Sequence, residues 1–181
     1  MERSVVPSAD ARAIDTPRLS LRVHGREDFA ECAAMWGDPE VTRFIGGRPS
    51  TREEAWTKVL RYAGLWSLLG FGYWVVRERS SGRFVGEVGF ADFQRDIDPP
   101  LGGAAEGGWV LAPWAHGRGF ATEAVRAAAE WYARSFGATR TVCIIDPDNA
   151  ASIRVAQKCG YVEIARATYK GGPAVVFERG A

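Results

Sequence analysis

The sequence predicts a single mixed α/β domain. Its sheet is mostly antiparallel, with about six or seven strands flanked by about four helices around a central β-α-β unit. Three observations carry this. Patterned segments run in the order β-α-α-β-β-β-α-β-α-β-β, with no internal repeat and no shift in composition. A glycine-spaced turn, His116-Gly117-Arg118-Gly119, separates an apolar strand from an amphipathic helix; with the strand after that helix it needs a crossover and implies local parallel pairing. Two strand-like runs flanking Ser80-Ser81-Gly82 read as an antiparallel hairpin, which makes the sheet mixed.

Met1–Asp15 is polar and unpatterned and is expected to be a flexible tail, leaving residues 16–181 as the domain. Leu19, Leu21 and Val23 alternate with polar residues and predict the first strand. A short helix follows over Arg26–Trp36, and another is expected from Asp38-Pro39 through Phe44. Thr51 and Glu54 have capping-box spacing at the start of a longer helix ending near Gly70, with Trp56, Val59, Leu60, Ala63 and Trp66 as its buried stripe. Gly72–Arg79 and Arg83–Phe93 form the hairpin, and Gln94–Ala104 is a loop. Glu106–Leu111 is the fourth strand. In the helix after it, Ala121, Ala124, Val125, Ala128 and Trp131/Tyr132 face inward, and Gly137 ends it. Thr139–Asp146 is β-branched and strand-like. Asn149 caps a helix over Ala150–Cys159 that Gly160 closes. Tyr161–Arg166 and Ala174–Glu178 are the last strands.

With 181 residues, 46% hydrophobic and 25% charged, the chain is long enough to bury a substantial core. Its formal net charge of +1 supplies no global field for nucleic acid or an anionic membrane. No apolar run approaches the roughly 20 residues of a membrane span. MERSVVPSADARAID has no hydrophobic signal core, so the expected location is the cytoplasm. Cys32, Cys143 and Cys159 are scattered and lack metal-ligand spacing; they are expected to be reduced, mostly buried thiols, with no metal.

The chemistry concentrates in Trp109–Phe136. Glycines let backbone approach a ligand closely, and first-turn N–H groups have no partner inside a helix, so strand, turn and helix start form an anion-binding device. The stretches Trp109-Val110-Leu111-Ala112-Pro113 and Gly117-Arg118-Gly119-Phe120-Ala121-Thr122-Glu123-Ala124 resemble the cofactor-binding motif of the GNAT superfamily of acyl-CoA N-acyltransferases, in its RimJ/RimL-like branch. Thr16–Arg22, Gly86-Glu87-Val88-Gly89-Phe90, and Asp148–Arg154 with Lys158-Cys159-Gly160-Tyr161 resemble other blocks of that branch, in the same order. One departure is His116, where the family usually has Gln or Arg.

The resemblance implies a GNAT-type fold and acetyl-CoA as co-substrate. Backbone groups of His116, Gly117, Arg118, Gly119, Phe120, Ala121 and Thr122 would hold the pyrophosphate. Val110 and Leu111 would pair with the pantetheine arm, and Asn149 and Ser152 would lie beside it. The implied reaction is direct attack of a primary amine, on a protein N-terminus or a small molecule, in a ternary complex. A strand N–H near Leu111 is the expected oxyanion donor. Glu106 is the expected proton acceptor, with Glu87 behind it. Ser152 is the expected proton donor to the sulfur, ahead of Tyr169; Tyr161 reads as core. His24 reads as a surface turn residue. Trp36, Phe44, Trp56 and Trp66 lie in the arm expected to wall the acceptor pocket. Monomer and homodimer both stay open. The alternatives are an acyl-CoA-binding sensor without turnover, and a nucleotide-binding protein, against which the missing Gly-Lys-Ser/Thr ending argues.

Overall fold

A computed structural model describes residues 12–137 and 140–180. The strands are β1 (Ile14–Asp15), β2 (Leu19–Val23), β3 (Tyr73–Glu78), β4 (Phe84–Ala91), β5 (Ala105–Leu111), β6 (Thr141–Ile145), β7 (Val162–Tyr169) and β8 (Gly172–Arg179). The helices are α1 (Phe29–Trp36), α2 (Pro39–Thr42), α3 (Arg52–Leu69), α4 (Phe120–Phe136) and α5 (Ala150–Lys158). The strands form one sheet in the order β1-β2-β3-β4-β5-β6-β8-β7. Among the described residues only β5 and β6 pair in parallel, on either side of α4. The predicted architecture is therefore correct, with one strand more than expected. That strand is β1: Ile14 pairs with Leu21 and is buried, so ordered structure reaches into the expected tail. Residues 1–11 lie outside the described part.

Local chemistry sets the element ends. The Glu54 N–H donates to Thr51 Oγ1 at 3.2 Å and the Thr51 N–H donates to Glu54 Oε2 at 2.8 Å, so the capping box closes both ways. Gly70, at φ 75°, takes the left-handed conformation that stops α3. The buried stripe of α3 is Ala55, Val59, Tyr62, Leu65 and Trp66, while Leu60 is exposed. The expected stripe was thus rotated by about one residue over part of its length, because Trp56 packs at the edge against Phe29 and leaves the centre to Ala55 and Tyr62.

The Arg48 guanidinium and the Thr51 N–H draw the Glu54 carboxyl down from 4.5 to about 2. A carboxyl lowered on folding stabilises fully above its unfolded value and loses that contribution as pH falls through the folded one. The wild-type protein should therefore lose stability between about pH 4.5 and pH 2 through this group. Thermal unfolding across that window should show a shallower acid slope for Glu54→Gln.

Helices cover both sheet faces. On one, Ala124, Val125, Ala128 and Trp131 of α4 pack on Leu19, Leu21, Trp74, Val76, Val88 and Phe90. Small alanines let the helix approach closely. On the other, Cys32, Met35 and Trp36 of α1 and Ala55 and Val59 of α3 pack on Val75, Phe84 and Val110. The β4–β5 register runs from Gly86↔Leu111 to Ala91↔Glu106. At Gly86 a Cβ would fall 2.2 Å from the Val110 carbonyl oxygen, so only glycine lets β4 lie this close to β5.

Candidate active site

α4 begins at Phe120 with Gly119 as its N-cap, at φ 78°, and no side chain caps it. The first helical backbone bond is from Glu123 N–H to the Gly119 carbonyl. The N–H groups of Phe120, Ala121 and Thr122 are thereby left without intrahelical acceptors at the start of a 17-residue helix, behind an exposed glycine turn. Gly117, at φ 73°, also needs its missing side chain.

Arg18 braces this turn, a role that no local pattern in the chain marks. Its Nε donates to Glu123 Oε2 at 2.6 Å and its Nη1 to the Arg118 carbonyl at 2.9 Å, and its guanidinium lies 4.8 Å from the Phe120 ring. Burial pushes the Glu123 carboxyl up, but hydrogen bonds from Thr16 and Arg18 outweigh it and hold the group below its usual range. The Arg118 side chain turns to Glu78, at 3.1 Å, and stacks near Trp114 and Phe120. The His116 Nε2 sits 3.0 Å from the Leu111 carbonyl oxygen, within hydrogen-bond distance.

β5 has two different edges. Its pairing with β6 is confined to Ala105↔Thr141 and Glu106↔Val142, and beyond that the strands part. The Ala112 N–H donates to the Val85 carbonyl, so alternation turns the backbone of Val110 and Gly108 toward β4 and that of Leu111 and Trp109 toward the gap. This corrects one expectation: Val110 is committed to β4, and Trp109 is the second open residue beside Leu111. The Val110 side chain belongs to the α1–α3 core.

α5 closes the other side of the gap at the same end of the sheet. Asn149 Oδ1 accepts from the Ser152 N–H at 3.0 Å, as its N-cap role predicts. Ser152 is half-buried, and its hydroxyl makes no hydrogen bond among the described residues. Tyr161 is core, with its hydroxyl on Thr141 Oγ1 at 3.1 Å. A separate groove of about 280 Å³, between α5 and β7–β8, holds none of the predicted site residues.

The two carboxylates share one face of the sheet but are not free. Arg95 grips Glu106 with two parallel hydrogen bonds, Nε to Oε2 at 2.5 Å and Nη2 to Oε1 at 2.6 Å, while its Nη1 donates to the Tyr169 hydroxyl at 2.7 Å. Burial works against the Arg95 charge, but Glu106 outweighs it and raises the guanidinium above its ordinary range. A proton arriving on Glu106 would have to displace a charge-assisted bond, so the expectation of a ready proton acceptor there meets a geometric obstacle. Tyr169 is held by the same arginine.

Glu87 is sealed from solvent. It accepts from Trp36 Nε1 at 2.9 Å and from the Tyr62 hydroxyl at 3.3 Å, and lies 3.0 Å from His24 Nε2. His24, expected on the surface, has a side chain only 1% exposed, and its Nδ1 faces the Tyr73 carbonyl at 3.2 Å. Both ring nitrogens thus face oxygens, and a buried hydrogen bond joins His24 to Glu87. Cys32 completes the group, its thiol pushed up by burial and then by Glu87. The atoms of His24, Cys32 and Glu87 that could ligate a metal lie within 4.8 Å of one another, yet here they are knit to each other and to neighbouring donors. All three cysteines are free and buried, as expected. Among the described residues no helix is long and apolar enough to cross a membrane.

Comparison with known proteins bears directly on this geometry. The model of the acetyltransferase (GNAT) domain family matches residues 18–162. The uncharacterized protein YkkB of Bacillus subtilis strain 168 is 30% identical over 172 residues, covering 91% of this chain and 93% of that one. A Bordetella pertussis protein assigned to the GnaT family of acetyltransferases has 28% identity, a TM-score of 0.81 and coverage of 92% and 98%. The fold is also that of RimL, a ribosomal-protein acetyltransferase solved with coenzyme A, at a TM-score of 0.75, 18% identity and coverage of 93% and 97%. The chain belongs to the GNAT acetyltransferase family. It is an acetyl-CoA-dependent acetyltransferase.

Proposed function

We propose that the protein transfers an acetyl group from acetyl-CoA to a primary amine by direct attack. The carrying observation is the gap between β5 and β6, whose open strand edge leads straight to the uncapped start of α4. A cofactor seated there would place its pyrophosphate on the N–H groups of Phe120, Ala121 and Thr122, behind the His116–Gly119 turn. Its pantetheine amides would pair with Leu111 and Trp109 in place of a neighbouring strand. The arm is several residues of strand long, so the thioester falls toward the middle of β5. The Trp109 N–H is then the better-placed oxyanion donor, with Leu111 a contact of the arm. Such a donor is typically worth about 3–4 kcal/mol in the transition state.

Each side chain then has a task. Ser152, with a free hydroxyl beside the gap, gives its proton to the departing sulfur, and Asn149 fixes the helix that carries it. Glu106, Arg95 and Tyr169 wall the acceptor side as a locked unit. The acceptor class stays broad: the RimL relative acts on a ribosomal protein, and another protein of this fold, at 18% identity, is an aminoglycoside acetyltransferase solved with coenzyme A. A second reading, acyl-CoA binding without turnover, has one observation in its favour: Arg95 holds both oxygens of Glu106.

Thiol release from acetyl-CoA decides between them. Peptides with free α-amino groups, spermidine and kanamycin serve as acceptors, with Glu106→Gln and Ser152→Ala as variants. We expect transfer by the wild type and a loss of at least about tenfold in each variant. Tight binding of acetyl-CoA with no turnover on any amine would establish the second reading.

A further inference from the structure

The acceptor-facing side of β4 and β5 carries two glycines in one row. Tyr73 on β3 is opposite Gly89 on β4, and Gly89 is opposite Gly108 on β5. With no side chains in the way, the Tyr73 ring lies flat across β4 and brings its hydroxyl to β5. A Cβ on Gly89 would fall 2.8 Å from Tyr73 Cγ, and one on Gly108 only 2.1 Å from the Tyr73 hydroxyl oxygen. The ring stacks on Tyr62 at 4.6 Å and 11°. The Tyr73 carbonyl accepts from Trp66 Nε1 at 2.9 Å and faces His24 Nδ1. Backbone and ring are therefore both fixed before any ligand arrives.

The hydroxyl is the exception in an otherwise committed neighbourhood. Glu106, Arg95 and Tyr169 hold one another, as do His24, Glu87 and Tyr62. The Tyr73 hydroxyl makes no hydrogen bond among the described residues, although the residue is only 6% exposed. No polar side-chain atom fully sealed from solvent lacks a partner among those residues, so this hydroxyl keeps an opening to the cleft. An oriented, nearly buried and unpaired O–H at the strand that carries the thioester is costly unless a ligand uses it.

We infer that the Tyr73 hydroxyl is a catalytic group that hydrogen-bonds the attacking amine over Gly108, an inference that rests on the acetyl-transfer reading above. Burial, and then the Glu106 charge, push its pKa up, so it stays a neutral O–H. Its oxygen accepts an amine N–H and points the nitrogen lone pair at the thioester carbon. The N–C bond then forms and the C–S bond breaks, with its electron pair leaving on sulfur. Ser152 passes its proton to that sulfur and the proton lost by nitrogen replaces it, giving amide and free thiol.

Tyr73→Phe tests this, because phenylalanine keeps the trough, the stack and the pinned carbonyl. With acetyl-CoA and the same three acceptors, kcat/KM for the amine should fall at least about tenfold, while calorimetric affinity for acetyl-CoA stays within about twofold. Gly108→Ala, whose methyl displaces the hydroxyl, should likewise lower kcat/KM for the amine and leave the affinity for acetyl-CoA within about twofold. Wild-type kcat/KM in Tyr73→Phe would overturn the inference and leave acetyl transfer standing. Wild-type protein that binds acetyl-CoA but turns over no amine would overturn both.

Discussion

Replacing Glu87 by alanine should cost about 3–5 kcal/mol of stability, the range for removing one partner of a buried charged cluster. Nothing of the carboxylate is exposed, and its loss strands the Trp36 indole N–H, the Tyr62 hydroxyl and His24 Nε2 at once. These donors come from α1, α3 and the segment after β2, so the residue ties three parts of the chain to β4. In a protein of this size the midpoint of thermal unfolding should drop by about 6–20 °C. Glu87→Gln keeps one acceptor oxygen and should lose roughly half as much. Differential scanning calorimetry of the two variants checks both figures. A fall of under 1 kcal/mol for alanine would mean that water or a rotated side chain takes the place of the carboxylate.

The second large effect is expected at Gly119. An L-residue in its left-handed conformation costs about 1–2 kcal/mol, and a β-branched one more. A Cβ there would also meet Arg18 Nη2 at 3.4 Å, in the brace that fixes the turn. Gly119→Val should therefore weaken CoA binding by about 10- to 100-fold, or roughly 1.4–2.8 kcal/mol. Gly82→Val is the control. Its φ of 70° imposes similar strain in the β3–β4 turn, where a Cβ meets nothing within 4 Å. That variant should lose stability and keep its CoA affinity. Calorimetric titration with CoA separates the two, and equal affinities would remove the turn from the binding site.

Much of the fold was legible because its signals are local. The Thr51/Glu54 box, the Asn149 cap, the Gly70 stop and the hairpin at Ser80–Gly82 each depend on a few neighbouring residues, and each formed as read. β1 escaped because two residues cannot display a period. The end of β7 was placed too early because it is an edge strand, exposed along much of its length, where alternation carries little information. The turn before α4 was visible in its glycines, which both take positive φ. The chemistry beside it was not. Glu106 meets Arg95 across a loop, His24 meets Glu87 only because β2, β3 and β4 lie side by side, and Tyr73 reaches Gly108 through the register of three strands. Partners of that kind are set by lateral order, which no single segment encodes.

The middle of β5 has one further consequence. Gly107 and Gly108 contribute no side chains, and tyrosine hydroxyls from Tyr161 and Tyr73 stand over them from opposite faces, each supplied by a distant part of the chain. The middle of β5 is thus a neutral rail, and its chemical character is on loan from other elements. Exchanging Tyr73 for another residue could retune the reaction side of the protein without altering any residue proposed to hold coenzyme A. In such an arrangement acceptor preference and cofactor binding can drift apart over evolution, one changing while the other stays fixed.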